Sequence, residues 1–520
     1  MKYSLLIKLL LLSTMVVFIV IFRLHCVDEP LERDITTYAY IAHNLLDGEP
    51  LYTKLWDHKP PGIYGIFMLG ELIFGYNQSA ITALGIIFTL ISGAFLYLFL
   101  NRITNSTTAL LGAAFWALAS NSVTLQANQP NVELFMNTFT IMALWALARA
   151  DDRKRLYVFF AGAFLGIVSF LKMIAVFPIF FISLYLILPL TDDGRLKLDR
   201  QRLKSIIIFL VPPVLLWSAT FAYFTVLGRF AEFWEAVFAF NRYYSEGILK
   251  NVTDFFISPH RMFHTSLTEI WILVLLSIAW LGISQRNYAG LRRSFFIFFL
   301  VGSCVAVASP GYDYPHYYQL LLPSVCILAA LFFHDAFRIV REKNLRYGRT
   351  ALIGLVIFAL VLTVIYPIQS FRMSPEEISM RKYGTLFTQS HEVAKIVEKH
   401  TSRDDEIYVW GAETGIYFYS KRKSVTGITY IYPLLVGPQK ERLQKIKRVI
   451  ADVSDSPPAV FIFNEAYGKI EGHYFNALIK ESYVLVDKVD NYLIFKSNRH
   501  LQKKAAGQSG PKITEEMISG

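Results

Sequence analysis

The sequence predicts a polytopic α-helical membrane protein of about eleven spans, with interfacial helices in its first outer loop and a small C-terminal α/β soluble domain. Three observations carry this. Of the 520 residues, 54% are hydrophobic and only 18% charged, where a soluble domain carries roughly 25% charge. Apolar runs long enough to cross a bilayer recur through residue 370. Basic residues gather in the short loops between alternate runs.

The composition excludes an ordinary soluble enzyme, a disordered chain and a fibrous repeat. A net charge of +11 would suggest nucleic acid in a soluble chain. Here the charge follows membrane topology and no nucleic-acid-binding signature is present, so no nucleic acid partner is expected. The three cysteines, Cys26, Cys304 and Cys326, exclude a disulfide framework and show no zinc spacing.

Residues 1–22 form a basic-tipped apolar run without a small-residue cleavage pattern, which reads as an uncleaved first span. Further spans are predicted at 79–100, 105–121, 132–149, 156–171, 173–190, 205–227, 268–284, 293–309, 318–335 and 350–369. With the N-terminus in the cytoplasm, the inside loops carry Arg102, then Arg149, Arg153, Lys154 and Arg155, then Arg195, Lys197, Arg200, Arg202 and Lys204. Arg286, Arg292 and Arg293 follow, and then Arg338, Arg341, Lys343, Arg346 and Arg349. The short outside loops carry Lys172 and little else, as the positive-inside rule requires. The expected location is the inner or plasma membrane, multi-pass, with the C-terminal segment extracytoplasmic.

Two long outside loops, 23–78 and 228–267, mix aromatic, charged and apolar residues as interfacial helices do. The expected division is a transmembrane catalytic domain over 1–370, an extracytoplasmic α/β domain over 371–497 and a disordered tail over 498–520. Within the second, 391–400 and 440–453 read as helices, and Ile407–Trp410, 460–463 and 492–495 as strands. There is no internal repeat.

The chemistry concentrates in residues 32–75. Asp34 precedes a helical segment, 35–46, and Trp56-Asp57-His58-Lys59-Pro60-Pro61-Gly62 follows. The proline pair suits a helix start, which sets a lysine beside a positive dipole end, a good place for a lipid-linked phosphate. Asp34 on the same side is placed to accept a proton or hold an acceptor hydroxyl.

This stretch resembles the first outer loop of GT-C glycosyltransferases that use polyprenyl-phosphate sugars, in particular bacterial relatives of protein mannosyltransferases and aminoarabinose transferases. The likeness rests on Arg33-Asp34, Tyr38-Ala39, His58-Lys59-Pro60-Pro61 and Phe74-Gly75, in that order after a first span. Fainter likenesses are NQPNVE ending in Glu133, GIVSFLK ending in Lys172, PHYYQLLLP with His316 and Tyr317, and the stretch around 405–411. The family often has a second acid directly after the aspartate; here that residue is Ile35.

The resemblance implies an inverting glycosyltransferase with a polyprenyl-phosphate sugar as donor and a glycan, lipid or protein as acceptor on the outer face of the bilayer. Asp34 is then catalytic. Lys59, Lys172 and Arg33 bind the donor phosphate, and Glu133 is a second acid toward the acceptor. Tyr38, His58, His316 and Tyr317 are substrate-binding candidates. The resemblance fixes no cofactor and leaves a divalent cation open, although Ile35 removes the adjacent-carboxylate pair that would bridge one. Each residue also has a structural reading: Asp34 as a helix cap, Lys59 and Lys172 as snorkelling lysines, Glu133 as a solvated span end, His316 and Tyr317 as belt aromatics. Other functions that fit the span pattern are a lipid-linked glycan flippase and a GT-C-like glycan ligase or polymerase.

Overall fold

The computed structural model describes residues 2–150, 154–188, 200–245, 247–258, 267–284, 287–288 and 291–498. The segment expected to be a tail therefore lies almost wholly outside the described residues. All eleven apolar runs are helical where described. Five of these helices are long and apolar enough to cross a membrane: Leu5–His25, Gln78–Ile103, Arg202–Val226, Pro315–Glu342 and Gly348–Ser370. The other runs form shorter apolar helices, such as Ser106–Ala119, Val132–Ala148 and Trp271–Ile283.

Burial sorts the long helices. The apolar window of Leu5–His25 is 11% buried and that of Gly348–Ser370 is 17%, with Leu6, Leu10, Ile357 and Val361 all exposed. In water those faces would be untenable; in hydrocarbon they are at home. Pro315–Glu342 is 83% buried and runs through the centre. Around it, Val132–Ala148 packs against Gln78–Ile103 and Lys154–Leu171, and the last of these against Arg200–Val226.

The loop between the first two long helices builds the site. Glu32 caps the Arg33–Leu46 helix by accepting from the Asp34 N–H. The chain then turns through Tyr52 at φ 67° and reaches Pro60-Pro61, which open the Gly62–Phe74 helix. A Cβ on Gly62 would lie 2.6 Å from the Phe170 carbonyl oxygen, so only glycine lets this helix start against Lys154–Leu171. That close approach sets Lys59 beside Lys172. The fully buried Arg23 donates to the carbonyls of Ser120 (2.9 Å), Ala127 (2.9 Å) and Asn128 (3.2 Å), which pins the loop leading to Glu133.

The C-terminal unit holds a four-stranded sheet of order β1-β2-β4-β3: β1 Ile407–Trp410, β2 Val460–Asn464, β3 Tyr483–Val489 and β4 Tyr492–Ser497. β1 and β2 pair in parallel through a crossover that includes the Gln439–Asp455 helix; β4 runs antiparallel to both its neighbours. Every residue of β1 and β2 is buried, as in strands covered on both faces. β3 is an edge strand whose interior residues are mostly exposed, so its sequence carries little of the apolar signal of a buried strand. The unit docks on the loop end of the bundle. The Trp56 N–H donates to the Gly427 carbonyl (2.9 Å), Thr37 Oγ1 to Thr414 Oγ1 (2.8 Å), and Arg33 pairs with Glu413 (3.1 Å).

Candidate active site

Asp34 lies in the first turn of its helix and is half-buried. It does not cap the helix, because Glu32 does. Its carboxylate accepts from the Tyr38 hydroxyl (3.2 Å), one turn on, and faces Lys59 Nζ at 3.5 Å. Lys59 is 4% exposed and therefore does not snorkel. Its ammonium donates to His58 Nε2 (2.8 Å). An ammonium can only donate, so Nε2 accepts and Nδ1 carries the imidazole proton. Nδ1 faces Asp57 Oδ1 at 3.1 Å. Asp57 in turn accepts from the Tyr64 and Tyr430 hydroxyls, both at 2.7 Å. The result is a continuous chain: Asp57, neutral His58, Lys59 cation, Asp34 carboxylate.

The charges follow this order. Burial opposes ionisation of Asp34, but the Lys59 charge foremost holds it at about 2. Burial also opposes ionisation of Asp57, yet the hydrogen bond from His58, the Lys59 charge and the hydrogen bond from Tyr430 keep its carboxyl below the usual range. Burial, then the Lys59 cation, push His58 down, which keeps the imidazole neutral. Lys59 is raised: burial disfavours its charge, and the Asp34 and Asp57 carboxylates overcome that. Glu32 is pushed up to about 8 by burial and by the Asp34 charge.

A second ion pair lies alongside. Lys172 Nζ donates to Glu133 Oε1 (2.6 Å) and sits 3.9 Å from the centre of the Tyr317 ring. Glu133 is fully buried and Lys172 is 8% exposed, so neither is a solvated interface residue. His316 and Tyr317 are also buried; His316 Nδ1 meets Gln126 Oε1 at 3.1 Å. Gln126 is held at φ 55°, one of five non-glycine residues with positive φ among the described residues, and Tyr52, whose hydroxyl holds the Lys59 carbonyl, is another. Arg33 is turned away from Asp34, toward Glu413 and the Tyr432 hydroxyl (3.0 Å).

Two cavities meet at Lys59. One, of about 550 Å³, is lined by Lys59 and Lys172 together with Met173, Ile174, Phe177 and Phe238. The other, of about 300 Å³, holds Glu32, Asp34 and Asp57 among Tyr244, Tyr314, Tyr430 and Tyr432. His58, Lys59, Tyr244 and Tyr317 line both. Of the residues that sequence reasoning brought forward, Asp34, Lys59, Lys172, His58, His316 and Tyr317 line one cavity or both, and Tyr38 and Glu133 bond to Asp34 and Lys172. The same reasoning left out Gln126, Tyr244, Tyr430 and Glu413, which come from distant segments with no local pattern, and passed over Glu32, two residues before Asp34. Asp57 was legible in principle, as an acid next to a histidine and a lysine. Among the described residues no three His, Cys, Asp or Glu side chains are grouped to hold a metal.

The chain superposes on the structure of ArnT from Cupriavidus metallidurans bound to undecaprenyl phosphate, with a TM-score of 0.58 and 14% identity, covering 96% of this chain and 99% of that one. The fold is that of the GT-C membrane glycosyltransferases. Archaeal oligosaccharyltransferase AglB from Archaeoglobus fulgidus, in complex with an inhibitory peptide and a dolichol-phosphate, is a second GT-C neighbour: TM-score 0.55, 11% identity, 96% of this chain and 75% of that one. The family model for dolichyl-phosphate-mannose-protein mannosyltransferase matches residues 58–217, from His58 through Trp217. No curated protein sequence matches the chain significantly.

Proposed function

We propose that this GT-C protein transfers a sugar from a polyprenyl-phosphate donor to a hydroxyl acceptor, a glycan, lipid or protein, on the extracytoplasmic side of the membrane. The observation that carries this is the junction at Lys59. A largely apolar cavity lined by two buried lysines suits a lipid tail and its phosphate. A polar cavity ending in a carboxylate 3.5 Å away suits an acceptor. The bound lipid phosphates of ArnT and AglB and the matching family model support the donor class. The loop charges support eleven crossings with Asp34 and the C-terminal unit outside.

In the proposed step the acceptor oxygen attacks the anomeric carbon, and the bond from that carbon to the phosphate oxygen breaks. The departing polyprenyl phosphate takes the electron pair, and Lys59, with Lys172, neutralises it. The acceptor proton goes to Asp34. At about 2, Asp34 is a weak base while Lys59 faces it. A phosphate that draws the Lys59 charge toward itself raises the basicity of Asp34 as the donor binds. His58, backed by Asp57, fixes the direction of the Lys59 ammonium. A phosphate is a good leaving group, so positioning and charge stabilisation do most of the catalysis.

Mass spectrometry of cell-envelope glycans tests this in cells with the protein, without it and with Asp34→Asn. A glycan or lipid mass increment of one sugar present only with the wild-type protein is expected. An increment that survives Asp34→Asn at equal expression contradicts the assignment.

A further inference from the structure

At the far end of the same central helix lies a third cavity, of about 630 Å³. The Leu322–Glu342 helix begins next to His316 and Tyr317 and ends in this cavity; its 21 residues span roughly 30 Å, the thickness of a hydrocarbon core. The cavity therefore belongs to the membrane face opposite Asp34. We propose that it binds the phosphodiester headgroup of an anionic glycerophospholipid.

Three features converge there. Arg341 and Arg349, from the end of one helix and the start of the next, both line the cavity. Arg338 is neutralised by Glu342 (3.0 Å) and approaches Asp335 (4.0 Å), whereas Arg341 and Arg349 form no ion pair with any described residue. Two further helices open toward it: Ser106–Ala119, capped by Asn105, and Gly348–Ser370, whose Tyr347 N-cap makes no side-chain hydrogen bond and whose Gly348 N–H donates to the Leu345 carbonyl (3.1 Å). Their positive dipole ends add to the guanidinium charge. The hairpin between the helices is tightly set: Asn344 stands at φ 49° and the Leu345 N–H donates to the Val340 carbonyl (3.1 Å).

The surroundings select a lipid over a free anion. Leu111, Phe333 and Leu345 supply apolar lining, and Leu345 and Tyr347 are exposed beside the mouth. From Arg349 onward the Gly348–Ser370 helix shows an apolar exposed face, Ile353, Ile357 and Val361, along which an acyl chain can lie. Basic pockets between membrane helices take lipid headgroups by this combination of charge and depth.

Native mass spectrometry of the full-length protein in detergent tests the assignment, titrating phosphatidylglycerol against phosphatidylcholine, with inorganic phosphate as competitor. Wild type should retain one phosphatidylglycerol in preference to phosphatidylcholine. R341Q/R349Q should weaken that binding by roughly tenfold or more. R341K/R349K should restore much of it. K343Q/R346Q removes the same charge from the same hairpin outside the cavity, and should leave binding within about twofold. Equal losses in R341Q/R349Q and K343Q/R346Q would reduce the site to a diffuse basic loop and overturn the proposal. Equal binding of the two lipids, or displacement of phosphatidylglycerol by inorganic phosphate at similar concentration, would overturn the lipid assignment.

Discussion

The two ends of the central Pro315–Glu342 helix treat charge in opposite ways. At the Asp34 end, Lys59, Glu133 and Lys172 are buried, and each faces an opposite charge: Asp34 with Lys59, Glu133 with Lys172, and, further out, Arg33 with Glu413. At the other end Arg341, Lys343, Arg346 and Arg349 are exposed, and none forms an ion pair with a described residue. An exposed guanidinium keeps its hydration and needs no partner. A buried one does, because desolvation costs several kcal/mol per ion. Paired burial is expensive to build and adds little stability, so its concentration at one end marks where the molecule does chemistry. The exposed end bears charge that orients the chain and attracts anionic lipid.

The sharpest way to break this contrast is at Asp34. Asp34→Asn should lower kcat by about 10²–10⁴, the range of a proton-accepting group, with donor affinity little changed. Loss of donor affinity with kcat intact would move Asp34 from the acceptor to the donor side. Next is the Glu133–Lys172 pair. Glu133→Ala strands a buried lysine and should cost about 3–5 kcal/mol, seen as a marked fall in melting temperature in detergent. Glu133→Gln with Lys172→Met, which removes both charges, should recover most of it. A single variant as stable as wild type would mean that the pair is hydrated.

Lys59→Ala should reduce donor use about ten- to hundredfold, the worth of a charge-assisted hydrogen bond of roughly 1.5–3 kcal/mol. Lys59→Arg should rescue only partly, since a planar fork cannot take the place of a point charge facing His58. Unchanged donor KM and kcat in Lys59→Ala would assign the phosphate to Lys172 alone.

The smallest effect concerns pH. Glu32 sits near 8 when folded and near the ordinary 4.5 when unfolded. Between those values the folded protein holds the extra proton, so this group's contribution to stability declines as pH rises from about 5 to 8. Glu32→Gln should flatten that slope. An unchanged slope in thermal melts would show that Glu32 is ionised throughout.

The sequence made some of this legible and hid the rest for physical reasons. Long apolar runs declare helices, and VFIF and IYVW declare strands buried on both faces, so these elements lie within a few residues of where the pattern sets them. Edge strand β3 mixes Asp487 and Lys488 with its apolar residues and gave no such signal. Hydropathy misleads about position: Leu5–His25 is the most apolar long helix (2.8) and among the least buried, while central Pro315–Glu342 is the least apolar (1.9). A lipid-facing helix must be apolar on every exposed side, whereas a central one can carry polar groups toward protein partners. The candidate site shows the same divide. Asp34 and the His58-Lys59-Pro60-Pro61 element lie close in sequence and read as a motif. Tyr430 and Glu413 reach the site only because the C-terminal unit folds back onto the loop, through contacts such as Gly427 against Lys54, where a Cβ would lie 2.6 Å from a carbonyl oxygen.

Two cavities meet at Lys59, and in the proposed reaction a bond to a lipid phosphate is broken there. The most direct measurement reconstitutes the full-length protein in liposomes with a polyprenyl-phosphate sugar and an acceptor, and follows sugar and lipid separately. Glycosylated acceptor together with free polyprenyl phosphate in equal amounts is the expected result. Movement of the intact sugar-lipid from one leaflet to the other, with no free polyprenyl phosphate formed, would contradict it and make the protein a transporter built on a GT-C fold.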